Sequence, residues 1–332
     1  MELISYTPRQ HFDHTEINES SVKNNNNRNF IEANTIAVDL NHLKKECIVP
    51  VFSKDNESTI SHYEFINSTI NVIQNLLPEK TDLKTDIRVS HIVKGRIPEA
   101  IGKPAKDLLE NEKTIYYERM AFCIEIPQFS QVINGNQLNL VIGGVRSYNQ
   151  ENLYSRKSIE KFKVFVGFQN KVCTNLCIST DGLKDDIRVS SISELESKII
   201  ELIMSYSKEL HTKSMEEFSN YVINEEQFAF LIGKMKMYQY IDKSEKSKLF
   251  NLLITDSQIT SLVKDYYLDS NFNHNNGLID MWKLYNLFTE ANKSSYIDNH
   301  LERNVNAYEF IKELIISLKN KESNWFLHNL YF

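Results

Sequence analysis

The run KFKVFVGFQNKVCTNLCISTDG, residues 161–182, decides how the chain is read. As a strand over 161–169, it sends alternate side chains to opposite faces. Phe162, Val164, Val166 and Phe168 fall on one side, which must be core. Lys161, Lys163, Phe165 and Gln169 fall on the other, with Lys171 continuing it. Ammonium groups around an aromatic ring on an exposed strand face suit single-stranded nucleic acid. Phosphates need cations, and each base can stack on an aromatic for about 1–3 kcal/mol. A solvated strand whose lysines guard an edge gives the same pattern.

The cysteines follow from the same arithmetic. If the strand continues, Cys173 and Cys177 share a face about 13 Å apart, at about 3.3 Å per residue. A disulfide needs Cα atoms within about 7 Å. A turn at Gln169, Asn170 and Lys171 would bring them closer. Zinc needs two further ligands, and no second cysteine pair or spaced histidine pair lies nearby. The reading is two small, semi-buried side chains.

Working outward, seven of the nine glycines lie between residues 95 and 182, and no proline follows Pro127. The middle is therefore turn-rich and β, and the last 150 residues are free to run as long helices. YYERMAFCIEIP alternates Met120, Phe122, Ile124 and Ile126 on one side. Asn134-Gly135 is a strong hairpin signal, with Leu138, Leu140 and Ile142 facing inward after it. Ser61 to Leu77 opens with a Ser-x-x-Glu capping box, sets Ile66, Ile70, Ile73 and Leu77 on one stripe, and stops at Pro78, which predicts an amphipathic helix. Ser193, Ser214, Asn224 and Asp242 each stand three residues before Glu or Gln and mark later helix starts. IGKPAKDLLENE reads as a short helix.

The expected fold is α+β: a flexible N-terminal arm over 1–56, then a hairpin-rich, mainly antiparallel sheet backed by helices over 57–190. An all-helical C-terminal half over 191–332 packs on it. The arm carries the low-complexity KNNNNRN and one short strand, ECIVPVF.

The 332 residues are 41% hydrophobic and 25% charged, as in a soluble globular protein. No apolar run reaches the roughly 18–20 residues that cross a bilayer, and no secretory signal opens the chain. Four cysteines make no disulfide framework, so the cytoplasm is the expected location. The net charge of −6 hides a contrast. Between residues 84 and 175, 14 Lys and Arg face 9 Asp and Glu, a balance of +5, so the remainder carries −11. A basic face on an acidic body follows.

The remaining constellations carry little chemistry. His11 and His14 form a lone pair in the arm. Glu118, on the side of Met120 and Phe122, needs a cation, and a nearby arginine is the expected partner; catalysis by a Glu118–arginine pair, as in a hydrolase, is the rival reading. Gly143-Gly144 lacks a nucleotide-loop frame and reads as a bulge or close backbone approach. Asp265 and Asp269 read as a solvated helix face. The polar break Asn292, Lys293, Ser294 and Ser295 is a secondary anion site if a helix starts there, with ordinary capping as the alternative. No catalytic, metal or cofactor arrangement is framed, so none is assigned.

GRIPEAIGKPAKDLLENEKTIYYERM, LVIGGVRSYN, FVGFQNKVCTNLC and LYNLFTEANKSSYID together resemble a family of uncharacterised proteins from Bacteroidetes mobile elements, over about residues 60–318. VCTNLC and WKLYNLFTEANK also resemble a broader phage- and plasmid-like family of unknown function. Neither resemblance carries a reaction; both imply residence on mobile DNA. The order of strands and helix is similar to the annealing-protein fold as well.

The expectation is a mobile-element protein that binds single-stranded DNA or a related nucleic acid through the sheet face, assisting annealing or protecting strands. Arg96, Arg146, Lys161, Lys163 and Lys171 would meet phosphates, and Tyr148 and Phe165 would stack on bases. Arg119, Arg156 and Lys157 would extend the basic surface, with Tyr154 as a further platform. A homo-oligomer is compatible with this. The alternative is a protein-interaction module, such as an inhibitor of host defence.

Overall fold

The structure is a computed structural model that describes residues 29–47, 59–77, 82–100, 102–148, 160–269, 272 and 277–327. His11, His14, Tyr154, Arg156, Lys157 and most of ECIVPVF lie outside the described residues.

The sheet is antiparallel and runs in the order β1 (Ile36–Ala37), β2 (Lys84–Val89), β5 (Arg119–Ile133), β6 (Asn136–Ser147), β7 (Glu160–Asn170) and β8 (Leu176–Cys177). Strand β9 (Leu183–Val189) pairs with the other end of β7. A separate ribbon joins β3 (Ile92–Arg96) to β4 (Lys113–Tyr117). The β5–β6 hairpin closes at Asn134 (φ 49°) and Gly135 (φ 80°). Two consecutive left-handed residues are what an Asn-Gly turn supplies. Pro127, which has no N–H for the ladder, falls where the β5–β6 register breaks between Ile126 and Ser130.

Helix α1 (Leu40–Lys45) follows β1, and α2 (His62–Leu76) starts at the anticipated capping box, with Ser61 accepting from the Glu64 amide and Glu64 from the Ser61 amide. Helix α2 and helix α3 (Ile192–Ser205) cover one sheet face. Their Phe65, Ile73, Leu195 and Ile199 pack with Phe122, Ile124, Phe162, Val164 and Val166.

The helical half continues with α4 (Lys208–Phe218), β10 (Val222–Asn224), α5 (Glu225–Tyr238), α6 (Lys243–Lys246), α7 (Asp256–Leu268), β11 (Leu278–Asp280), α8 (Met281–Asn292) and α9 (Ile297–Asn320). Ser214 lies inside α4 rather than at a helix start, and α3 is capped by Ser191 rather than Ser193. IGKPAKDLLENE forms two separate 3₁₀ turns, Ala105–Asp107 and Glu110–Glu112, rather than one helix. Two helix–strand–helix units repeat here. Strands β10 and β11 pair with Ile223 opposite Ile279, and Asn224 and Asp280 each cap the following helix.

Helix α9 decides what becomes of the sheet. Its second half buries Phe310, Ile311 and Leu314 in the helical core. Its first turns lay Ile297 and Leu301 on the second sheet face, against Ala121, Val141, Val145 and Phe165. The middle of the sheet is therefore covered on both sides. Gly143 and Gly144 lie where the packing leaves no room for a side chain. A Cβ on Gly143 would stand 2.1 Å from the Phe122 carbonyl oxygen, and one on Gly144 would stand 2.5 Å from the Phe65 ring. This is the close backbone approach read from the pair. Residues 29–31, inside the expected arm, also pack on this face, with Phe30 and Ile31 buried.

Candidate functional site

The alternation read over 161–169 is the one observed, yet the lysine-bearing side does not open onto a channel. Phe165 is buried beneath Ile297 and Leu301. Lys163 donates to the Asp298 carbonyl at 2.6 Å and pairs with Glu302, both on α9. Lys161 pairs with Asp186 at 3.2 Å and draws that carboxyl below its ordinary range. Lys171 reaches Glu125 at 2.9 Å. Burial pushes the Glu125 carboxyl up, but its bonds to Lys171 and Asn139 outweigh that and hold it low.

Arg146 is 2% exposed and pairs with Glu160 at 2.7 Å, its guanidinium held between the Phe162 and Tyr148 rings. Tyr148 is itself buried, stacks on His62 and accepts from the His62 amide. Arg96 donates to the Lys103 carbonyl. Arg119 bonds Asp298 at 2.6 Å and Glu118 at 3.1 Å, the ion pair read for Glu118. The seven residues read as a nucleic-acid surface are thus spread over a core and several ion pairs. Tyr148 and Phe165 have no exposed ring on which a base could stack. The local periodicity was right; what covers the face lay 135 residues away in the chain.

The 292–295 cluster also sits differently from the expectation. Asn292 ends α8 and Lys293 caps its C-terminus, while the N-cap of α9 is Tyr296, so none of the four residues caps a helix start. Lys293 is 1% exposed, pairs with Glu290 at 3.0 Å and donates to the Cys173 carbonyl. Its own carbonyl accepts from Glu32 and Ala33. Asn292 donates to the Arg303 carbonyl, Ser294 donates to the Ala291 carbonyl, and Ser295 accepts from Gln258 and Arg303.

These contacts bring the two quoted motifs together. Strand β7 ends at Asn170 and the chain turns over 171–175 before β8, so VCTNLC is a turn followed by a short strand, not a continued β7. Asn286 of α8 holds that turn. It accepts from Asn170 Nδ2 at 3.3 Å, faces the Cys173 thiol at 3.8 Å, and offers its main-chain carbonyl to Asn175 at 3.0 Å. Cys173 and Cys177 are buried and form no disulfide, and burial pushes the Cys177 thiol up. Among the described residues no group of three or more His, Cys, Asp or Glu could hold a metal ion. Thr174 has φ 61°, an uncommon left-handed conformation for a β-branched residue. Such strain gathers where function fixes the backbone.

Beside this junction lies a cleft of about 290 Å³. The turn contributes Asn170, Val172 and Cys173, and the β5–β6 hairpin tip contributes Asn134 and Asn136. Ser219, Phe272, Asp280, Trp282, Lys283 and Asn286 close it from the helical half. Its walls are fastened: Asn134 Nδ2 donates to the Met215 carbonyl at 2.8 Å, and Trp282 Nε1 donates to Asn136 Oδ1 at 2.9 Å. In sequence Asn134 and Asn170 read only as turn residues and Asn136 and Asn286 carry no signal, although the motifs VCTNLC and WKLYNLFTEANK supply two of the walls.

Fold and site together define an α+β protein whose sheet is covered at its middle on both faces and whose cleft lies where sheet and helical half meet. The chain belongs to the family described as "Domain of unknown function, B. Theta Gene description (DUF3871)", whose model matches residues 11–327. No curated protein and no solved structure matches it. Among the described residues no helix is long and apolar enough to cross a membrane.

Proposed function

We propose that this chain is a binding protein that takes a small polar ligand in the cleft between the hairpin tip, the 171–175 turn and α8. The observation that carries the reading is convergence. Asn170 and Asn286, 116 residues apart in sequence, bond directly in the cleft wall, and the strained Thr174 lies in the same turn. Polar groups held by a hydrogen-bonded wall in a concave site are how ligand pockets fix orientation. A mobile-element setting and a cytoplasmic location, implied by the motif resemblance and the cysteine usage, belong to the same proposal.

Single-stranded nucleic acid on the sheet face is the rival, favoured by the basic balance of residues 84–175. It requires α9 to leave that face. The burial of Ile297 and Leu301 opposes this, at about 1.5–3 kcal/mol for each fully buried side chain, and so do the bonds from Lys163 and Arg119 to α9.

The chain has two tryptophans, so Trp325→Phe leaves Trp282 as a lone reporter in the cleft. The small-molecule fraction of a cell extract is titrated against Trp282 emission, and a labelled single-stranded oligonucleotide is titrated separately. A saturable emission change reversed by dialysis supports the cleft. A silent Trp282, with oligonucleotide binding that falls steeply as salt rises, overturns it in favour of the rival.

A further inference from the structure

We infer that the ligand of this cleft is a neutral ring compound presenting a hydrogen-bond acceptor beside a donor, as a nucleobase edge or the vicinal diol of a sugar does. This rests on the cleft being the binding site. The hairpin tip sets the chemistry. Trp282 Nε1–H can only donate, so the atom of Asn136 that meets it is the oxygen, and the Asn136 NH₂ is left over. The Met215 carbonyl can only accept, so the atom of Asn134 that meets it is the nitrogen, and the Asn134 oxygen is left over. The amide orientations are thus fixed by their partners. The tip offers one unused donor and one unused acceptor, two residues apart across a tight turn. On the opposite wall, Asn170 and Asn286 are committed to each other, to the Val172 amide and to the Trp282 carbonyl.

Charge argues for neutrality. The ionisable groups lining the cleft are Asp280 and Lys283, one of each sign, besides the Cys173 thiol. The N-terminus of α8 would otherwise attract an anion. It is capped by the Asp280 carboxylate, which accepts from the Lys283 amide at 2.7 Å and repels a phosphate from that end. The volume, about 290 Å³, lies at the small end of ligand pockets and suits a monosaccharide or nucleoside.

The test is direct. Uridine, adenosine, glucose, UMP and AMP are titrated into the full chain carrying Trp325→Phe, alone and with Asn136→Asp. Asn136→Asp keeps an oxygen for Trp282 and puts a charged acceptor where the spare donor stood, so its effect is read on the neutral compounds, which carry no charge for it to repel. The expected result is binding of a neutral compound, tighter than its monophosphate, and weakened about tenfold by Asn136→Asp, the loss of roughly one hydrogen bond. Binding by nucleosides but not glucose assigns the base edge; binding by glucose as well assigns the diol. If Asn136→Asp does not fold, the Asn136 side-chain NH₂ resonances of the otherwise unchanged chain are followed instead, and they must move with ligand. Preference for the monophosphates, or indifference to Asn136→Asp, overturns the inference while leaving the cleft as the site. No response to any of the five compounds also overturns it, and the extract titration then decides the cleft independently.

Discussion

Lowering the pH from 7 to 5 should remove about 6 kcal/mol of folding stability, nearly all of it through three histidines. His62, His211 and His300 are 4%, 2% and 1% exposed. Burial holds their imidazoles neutral. It pushes His62 down to about 3, with the Arg146 charge adding to it, His211 to about 3, and His300 to about 4. In the unfolded chain each binds its proton near the ordinary value of about 6.5. Between that value and the folded values the unfolded state holds more protons, so stability is present above about pH 6.5 and is lost as pH falls. Integrated from pH 7 to 5, each histidine contributes about 2 kcal/mol of loss. Native domains are stable by about 5–15 kcal/mol, so this loss is a large share of the whole and brings a protein at the low end of that range to unfolding at pH 5. Urea unfolding followed by circular dichroism at several pH values measures the slope. His211→Phe should cut that slope by about a third, whatever it does at pH 7. A urea midpoint unchanged between pH 7 and 5 would refute the argument, because it requires these rings to be accessible or already charged.

Three substitutions test the packing. Lys163→Met strands Glu302 and the Asp298 carbonyl, and should destabilise by about 1–3 kcal/mol in thermal or urea unfolding while leaving oligonucleotide retention unchanged. Gly143→Ala drives a Cβ against the Phe122 carbonyl oxygen inside a covered sheet and should cost more than about 3 kcal/mol, seen as loss of soluble, cooperatively melting protein. Asn286→Ala removes the bonds to Asn170 Nδ2 and the Trp282 carbonyl. It should cost about 2–3 kcal/mol and raise hydrogen exchange at residues 171–175.

Much of this was legible locally. The Ser61 capping box and its apolar stripe gave α2, Asn134-Gly135 gave the hairpin, and alternation gave the inward set Phe162, Val164 and Val166. Each signal is contained within a few residues. What local pattern could not supply is the partner of the opposite face. A polar-looking strand face reads as exposed, yet Lys163 and Lys161 reach Glu302 and Asp186 from the margins while Phe165 sits under α9. Helix α9 serves two cores, with Ile297 and Leu301 on the sheet and Phe310, Ile311 and Leu314 in the helical half. Its residues look like one amphipathic helix until the sheet is in place. The cleft was illegible for a related reason: asparagine carries no periodicity, so Asn134 and Asn170 read only as turn residues, and the wall they share with Asn286 exists only when the chain brings them together.

Amine labelling of the native full-length chain tests the central claim, that α9 closes the lysine-bearing face and leaves the cleft as the working surface. A short pulse of acylating reagent read by peptide mass spectrometry should modify exposed Lys94 and Lys106 rapidly and leave Lys163 and Lys293 protected until the protein unfolds. Lys163 reacting as fast as Lys94 would contradict the account, since that ammonium would then face open solvent.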